Sequence, residues 1–172
     1  MDRRQIGMRL AFDVLGVPFK LDTFNHRLAV QKVVYLAQAA GIHLGYDFHW
    51  YLRGPYSPDL TRDVFAVDAE AGEGTNEWAR WQFDDQSKAR LEELSSIVRP
   101  RGNPRSPADL ERLASVHYVI SRQGVSPDDH TRLAERVRAL GKRYDQKVVS
   151  AAVNELSQCG LLKDVVGRDR SR

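Results

Sequence analysis

His49, Tyr51, Arg53 and Tyr56 fall in one short stretch, and together they suit recognition better than bond making. Alternation along a strand places His49, Tyr51 and Arg53 on the face opposite Trp50, with Tyr56 projecting from the corner that follows. Tyrosine and arginine anchor protein interfaces because each offers contact area together with hydrogen bonds. The same face is equally suited to burial beneath C-terminal helices, so the pattern leaves both readings open. Upstream, Gln31 and Lys32 interrupt an otherwise apolar helical run. A buried amide or ammonium without a partner is costly. Either Gln31 bonds the corner backbone while Lys32 reaches solvent along its methylene stem, or the two line a polar pocket under the corner that takes a ligand or peptide.

Catalytic and metal chemistry find little support. Ser57 lacks the glycine-flanked elbow and the suitably spaced base of a nucleophile, and a helix cap accounts for it. His26, His43, His49, His117 and His130 are scattered, with no pair at helical i, i+4 spacing and no His-Glu-x-x-His, so no metal is expected. His117 lies on an apolar helix face and is expected in a core or interface. Asp84-Asp85, Glu92-Glu93 and Asp128-Asp129 are adjacent pairs in cap or surface settings. No glycine-rich phosphate loop or dinucleotide fingerprint occurs, and no cofactor is expected. The single Cys159 excludes an internal disulfide and a thiolate cluster.

A second recognition chemistry sits near the C-terminal end. Arg132, Arg136, Arg138, Lys142 and Arg143 surround one helix and its following turn, and Lys147, Ser150 and Asn154 line up on the polar side of the next. A basic helix, a turn and a helix with a polar stripe describe a helix-turn-helix reader of DNA, and equally an ordinary amphipathic pair.

These residues need elements to hold them. Apolar periodicity predicts helices over 3–15, 25–41, 58–69, 85–98, 107–122, 127–140 and 145–159. Ser57-Pro58, Ser106-Pro107 and Ser126-Pro127 read as serine caps followed by proline at the first helical position. Tyr46, Phe48, Trp50 and Leu52 alternate as a strand with one buried face, which Gly54-Pro55 stops. Residues 77–83 fit a short strand or one helical turn. Pro100 to Pro107 holds three prolines and reads as a hinge. The expected organisation is a core over 1–99, a hinge over 100–107, a helical C-terminal subdomain over 108–165 and a disordered tail over 166–172.

At 172 residues, with 42% hydrophobic and 28% charged side chains, the chain suits one soluble domain or a compact core with a small appended part. Its net charge of +3 hides an asymmetry: residues 61–98 hold four basic against nine acidic side chains, residues 99–172 fifteen against nine. Such halves admit a homodimer in which they pair, and the basic half admits nucleic acid. No apolar run is long enough for a bilayer, and Met-Asp-Arg-Arg lacks a signal peptide's apolar stretch, so a cytoplasmic protein without membrane contact is expected.

The segments Leu28-Ala-Val-Gln-Lys-Val-Val-Tyr-Leu-Ala-Gln38, Tyr46-Asp-Phe-His-Trp-Tyr51 and Gly54-Pro-Tyr-Ser-Pro-Asp-Leu60 resemble the small YwgA-like proteins of bacteria and archaea. More distantly, their order is similar to the Panacea (SocA-like) antitoxin and adaptor domain. The likeness spans about residues 25–65 and rests on Gln31, Lys32, Tyr35, Trp50, Gly54, Pro55, Tyr56, Ser57 and Leu60. The chain departs from the pattern at Ala29-Val30 and at Arg53. The YwgA-like group implies no assigned activity, whereas the Panacea group implies a non-enzymatic module that binds a toxin or hands a client to a protease.

The expected fold is α+β and mostly α-helical, with the Gln31 helix packed on the Trp50 strand in a small antiparallel sheet. The expected function is a non-catalytic protein-binding module, antitoxin-like or associated with phage defence. Its partner would be a toxin, a protease client or a defence-complex subunit. A DNA-binding regulator is the alternative, and an enzyme whose groups converge without a linear motif stands third.

Overall fold

A computed structural model describes residues 1–72, 74 and 77–163. The expected tail over 166–172 lies outside them. Helix starts follow local capping chemistry, in which a side-chain oxygen accepts one of the orphan backbone N–H groups of the first turn. Helix α1 (Arg3–Leu15) opens with a reciprocal capping box between Asp2 and Gln5 and stops at Gly16, whose φ of 63° suits glycine. Helix α2 (Phe24–Ala39) is capped by Thr23 rather than by the expected Asn25. Helix α3 (Pro58–Gly72) begins where the Ser57 hydroxyl accepts the Leu60 N–H at 3.4 Å, and it runs past the expected end at Ala69. Helices α4 (Asp85–Val98), α5 (Pro107–Gln123), α6 (His130–Ala139) and α7 (Gln146–Gln158) start at Asp84, Ser106, Asp129 and Asp145. Ser126-Pro127 therefore does not open a helix. Ser126 instead accepts the Asp128 and Asp129 N–H groups in a turn, which leaves Asp129 as the cap. The ambiguous 77–83 stretch holds a 3-10 turn, Glu77–Arg80, and the 100–107 segment another, Pro100–Gly102.

The strand is shorter than alternation predicts. Only β1 (His49–Tyr51) enters a ladder, with β2 (Gly54–Tyr56) as its antiparallel partner. Tyr46 is drawn out of it because its N–H and C=O both bond the Gln38 side-chain amide at 2.8 Å. Tyr46 and Phe48 are buried without belonging to a strand, and Leu52 is 82% exposed. Gly54-Pro55 does not end the sheet; it is half of it. Leu52-Arg53 form a two-residue connection, Gly54 supplies a φ of 78°, and Pro55 faces Trp50. Proline is tolerated because in a two-stranded ribbon both strands are edges, so its missing N–H leaves no ladder position empty.

Helix α2 is the axis of the molecule. Every residue from Val30 to Ala37 is buried, and the helix packs on α5, β2, α4 and α1. The strand it meets is β2, whereas the half-buried Trp50 of β1 turns to Tyr118 of α5 and donates its indole N–H to the Leu140 carbonyl at 3.2 Å. One hydrophobic cluster runs from Met8 to Leu162 and draws side chains from both sides of 100–107. Within it, the Tyr35 hydroxyl meets His117 Nδ1 at 2.8 Å, which places His117 in the core. Burial pushes His117 down to about 4, against a hydrogen bond to the Leu161 backbone that favours its charged form. No helix among the described residues is long and apolar enough to cross a membrane.

Candidate functional site

The hairpin is held to the helices by polar groups that burial would otherwise leave unsatisfied. Gln31 reads the start of α3 from both ends of its amide: Oε1 accepts the Ser57 N–H at 3.0 Å, and Nε2 donates to the Ser57 carbonyl and to Thr61 Oγ1, each at 2.9 Å. Lys32 does not reach solvent as a methylene stem would allow. It is 1% exposed and donates to the Pro55 carbonyl at 2.6 Å, since α2 is covered by β2 on that side. A second buried ammonium, Lys142 in the turn after α6, donates to the Leu52 carbonyl at 2.9 Å and to Glu111 at 2.5 Å. Glu111 also lies 3.7 Å from Arg53. Two ammoniums thus pin two carbonyls of the hairpin, and one carboxylate faces both Lys142 and Arg53.

This arrangement perturbs Lys32. Burial pushes its pKa down to about 7, Glu111 opposes the shift and the Lys142 charge adds to it. Close packing leaves no slack: a Cβ built on Gly54 would stand 2.5 Å from Ser115 Oγ, a fully buried hydroxyl without a partner.

On the outer side of the same corner, α2, α3 and the hairpin enclose a cleft of about 310 Å³. Phe24 and Leu28, one turn apart on α2, face Thr61, Val64 and Phe65 of α3 across it, with Tyr51, Leu52, Arg53 and Tyr56 closing one side. Gln31 and Lys32 also border it, with their amide and ammonium turned to protein partners. Tyr51 and Tyr56 stack diagonally with ring centres 5.5 Å apart, and the Tyr56 hydroxyl accepts from Thr61 at 2.9 Å. Arg53 places its guanidinium 6.0 Å from the Phe24 ring centre. Among the described residues the exposed large hydrophobics are Phe24, Tyr51, Leu52, Phe65 and Trp81, and all but Trp81 line this cleft.

The structure brings Tyr51, Arg53 and Tyr56 together at the cleft with Gln31 and Lys32. His49 is exposed but stands apart from it, paired with Asp47 at 3.0 Å. Tyr35 and Leu60 are core residues, Ser57 is a buried cap, and Trp50, Gly54 and Pro55 shape the hairpin. Of the proposed DNA-facing set, Lys142 is unavailable because Glu111 and the Leu52 carbonyl engage it in the interior. Arg132, Arg136, Arg138, Arg143, Lys147 and Asn154 are exposed. Arg136 donates to Gln123 at 2.5 Å, and Ser150 is half-buried and engaged by His130 Nδ1 at 2.8 Å. A shallow depression between Arg132 and Arg136 also contains Glu135, a carboxylate that works against phosphate there.

Sequence reasoning misses Phe24, Leu28, Leu52, Thr61, Val64 and Phe65. Two helical faces signal most of them: Phe24-Leu28-Gln31 fall at i, i+4, i+7 and Thr61-Val64-Phe65 at i, i+3, i+4. No local signal exists for Glu111 with Lys142, which meet only through the packing of α5 on the turn after α6. No protein-family model, curated protein or solved structure matches this chain.

Proposed function

We propose that the chain is a non-catalytic protein-binding module, and that the cleft beside the hairpin seats an apolar side chain from a segment of another protein. The observation that carries this reading is the gathering of Phe24, Tyr51, Leu52 and Phe65 around one concavity, with Trp81 the other exposed large hydrophobic among the described residues. Contiguous apolar exposure rimmed by polar groups marks interaction surfaces. The occupant is a short segment, because the cleft volume lies at the lower end of ligand sites and its rim is open. Tyr51, Tyr56 and Arg53 add hydrogen-bonding heads around the apolar floor, as interface anchors do. The likeness of residues 25–65 to the YwgA-like and Panacea groups supports a toxin, a protease client or a defence-complex subunit as the class of partner.

Comparative capture from the native host, with wild type and with Leu52→Ser/Phe65→Ser as baits, tests the reading. The wild type should retain a partner that the double variant loses. Equal retention of every partner removes the cleft from recognition.

A further inference from the structure

The cleft is lopsided in charge. Among the described residues its lining holds three basic side chains, Arg27, Lys32 and Arg53, and no Asp or Glu. Arg27 is already committed, donating to the Leu21 carbonyl at 2.7 Å. Arg53 is not: its side chain is 58% exposed and stands 3.7 Å from Glu111, a separation longer than a charge-assisted hydrogen bond. Glu111 is spent mainly on Lys142, which it binds at 2.5 Å. Behind and beside the hairpin, then, Lys32, Lys142 and Arg53 share one carboxylate.

We infer that the cleft takes a partner segment in which an apolar side chain is followed closely by Asp or Glu, the apolar group entering between Phe24, Leu52 and Phe65 and the carboxylate meeting Arg53 at the mouth. The inference rests on the docking role proposed above and specifies its chemistry. Charge complementarity selects an acid over a base, because the exposed charge at the mouth is the Arg53 guanidinium, which Glu111 approaches only to 3.7 Å. A side-chain carboxylate is favoured over a chain terminus because the rim is open, so a segment can pass across it rather than end in it.

A random twelve-residue peptide display library, selected on the full chain and cleared against Leu52→Ser/Phe65→Ser, tests this. The expected peptides carry an aromatic or aliphatic residue within two positions of Asp or Glu and lose roughly tenfold or more in affinity when the acid becomes its amide. Arg53→Glu should turn selection toward basic peptides. Cleft-dependent peptides without acids, or rich in Lys and Arg, overturn the acidic requirement and leave docking intact. Failure to select any peptide that separates wild type from the double variant removes docking itself. Concentration-dependent self-association of wild type, absent in the double variant, makes a second copy the occupant and overturns the proposed partner.

Discussion

The hairpin corner and the α6–α7 pair sort their side chains in opposite ways. In α6 and α7, Leu133, Val137, Val149 and Leu156 are buried, while Arg132, Arg138 and Lys147 are exposed. At the corner, Lys32 and Lys142 are inside, while Phe24, Tyr51, Leu52 and Phe65 are outside. A helix pair that obeys the usual partition is complete as it stands. A buried charge and an exposed apolar cluster are the informative departures from that partition. The contrast teaches that the amphipathic pair follows the usual partition, whereas at the corner buried ammoniums hold the hairpin in place and leave an apolar cluster on its outer side. Lys142 joins the two regions: it belongs by sequence to the basic stretch, but its ammonium serves the hairpin.

The largest test of this contrast is charge removal. Glu111→Ala leaves Lys142 buried without a counter-charge and should cost about 3–5 kcal/mol. Lys147→Ala on exposed α7 should stay within about 0.5 kcal/mol. Urea unfolding of both variants gives the difference, and equal losses erase the contrast. Acid should act next. The folded pKa of His117 lies near 4, below its unfolded value, so the unfolded state binds more protons between pH 6.5 and 4. Stability falls across that window as pH drops, by about 3 kcal/mol at most from this group, and His117→Phe should flatten the fall. Lys32 gives the alkaline counterpart: its folded pKa is also depressed, so stability rises from pH 7 upward, and Lys32→Met should remove that rise.

A smaller effect is expected at Gly54. Alanine there must adopt a φ of 78° with its Cβ 2.5 Å from Ser115 Oγ, so Gly54→Ala should lose about 1–3 kcal/mol. Thermal unfolding beside Gly141→Ala, which has a similar φ of 87° but open space, separates the close approach from the backbone strain.

Much of the architecture was legible because helix signals are local. Asp84, Ser106 and Asp145 each mark a helix start with their own side chain. The strand was less legible because alternation reports burial rather than pairing. Tyr46 and Phe48 are buried as the pattern requires, but the Gln38 amide takes the Tyr46 backbone out of the ladder. Proline at Pro55 reads as a stop, and it is acceptable because no third strand among the described residues pairs with β2. The nearness of Tyr51, Arg53 and Tyr56 follows from their spacing in the sequence. The cleft they border does not, since its opposite wall comes from Phe24 and Phe65 on separate helices. Lys32 was misjudged for a related reason: nothing local says that β2 will fold over it.

The most direct test compares one binding constant in two proteins. Peptides selected on wild type alone, with no clearing against a variant, are titrated into Leu52→Ser/Phe65→Ser, whose unfolding free energy is measured in the same buffer. The account predicts that affinity drops by roughly tenfold or more while stability changes by no more than about 0.5 kcal/mol, because these side chains face outward to serve a partner. Unchanged affinity with unchanged stability would contradict it.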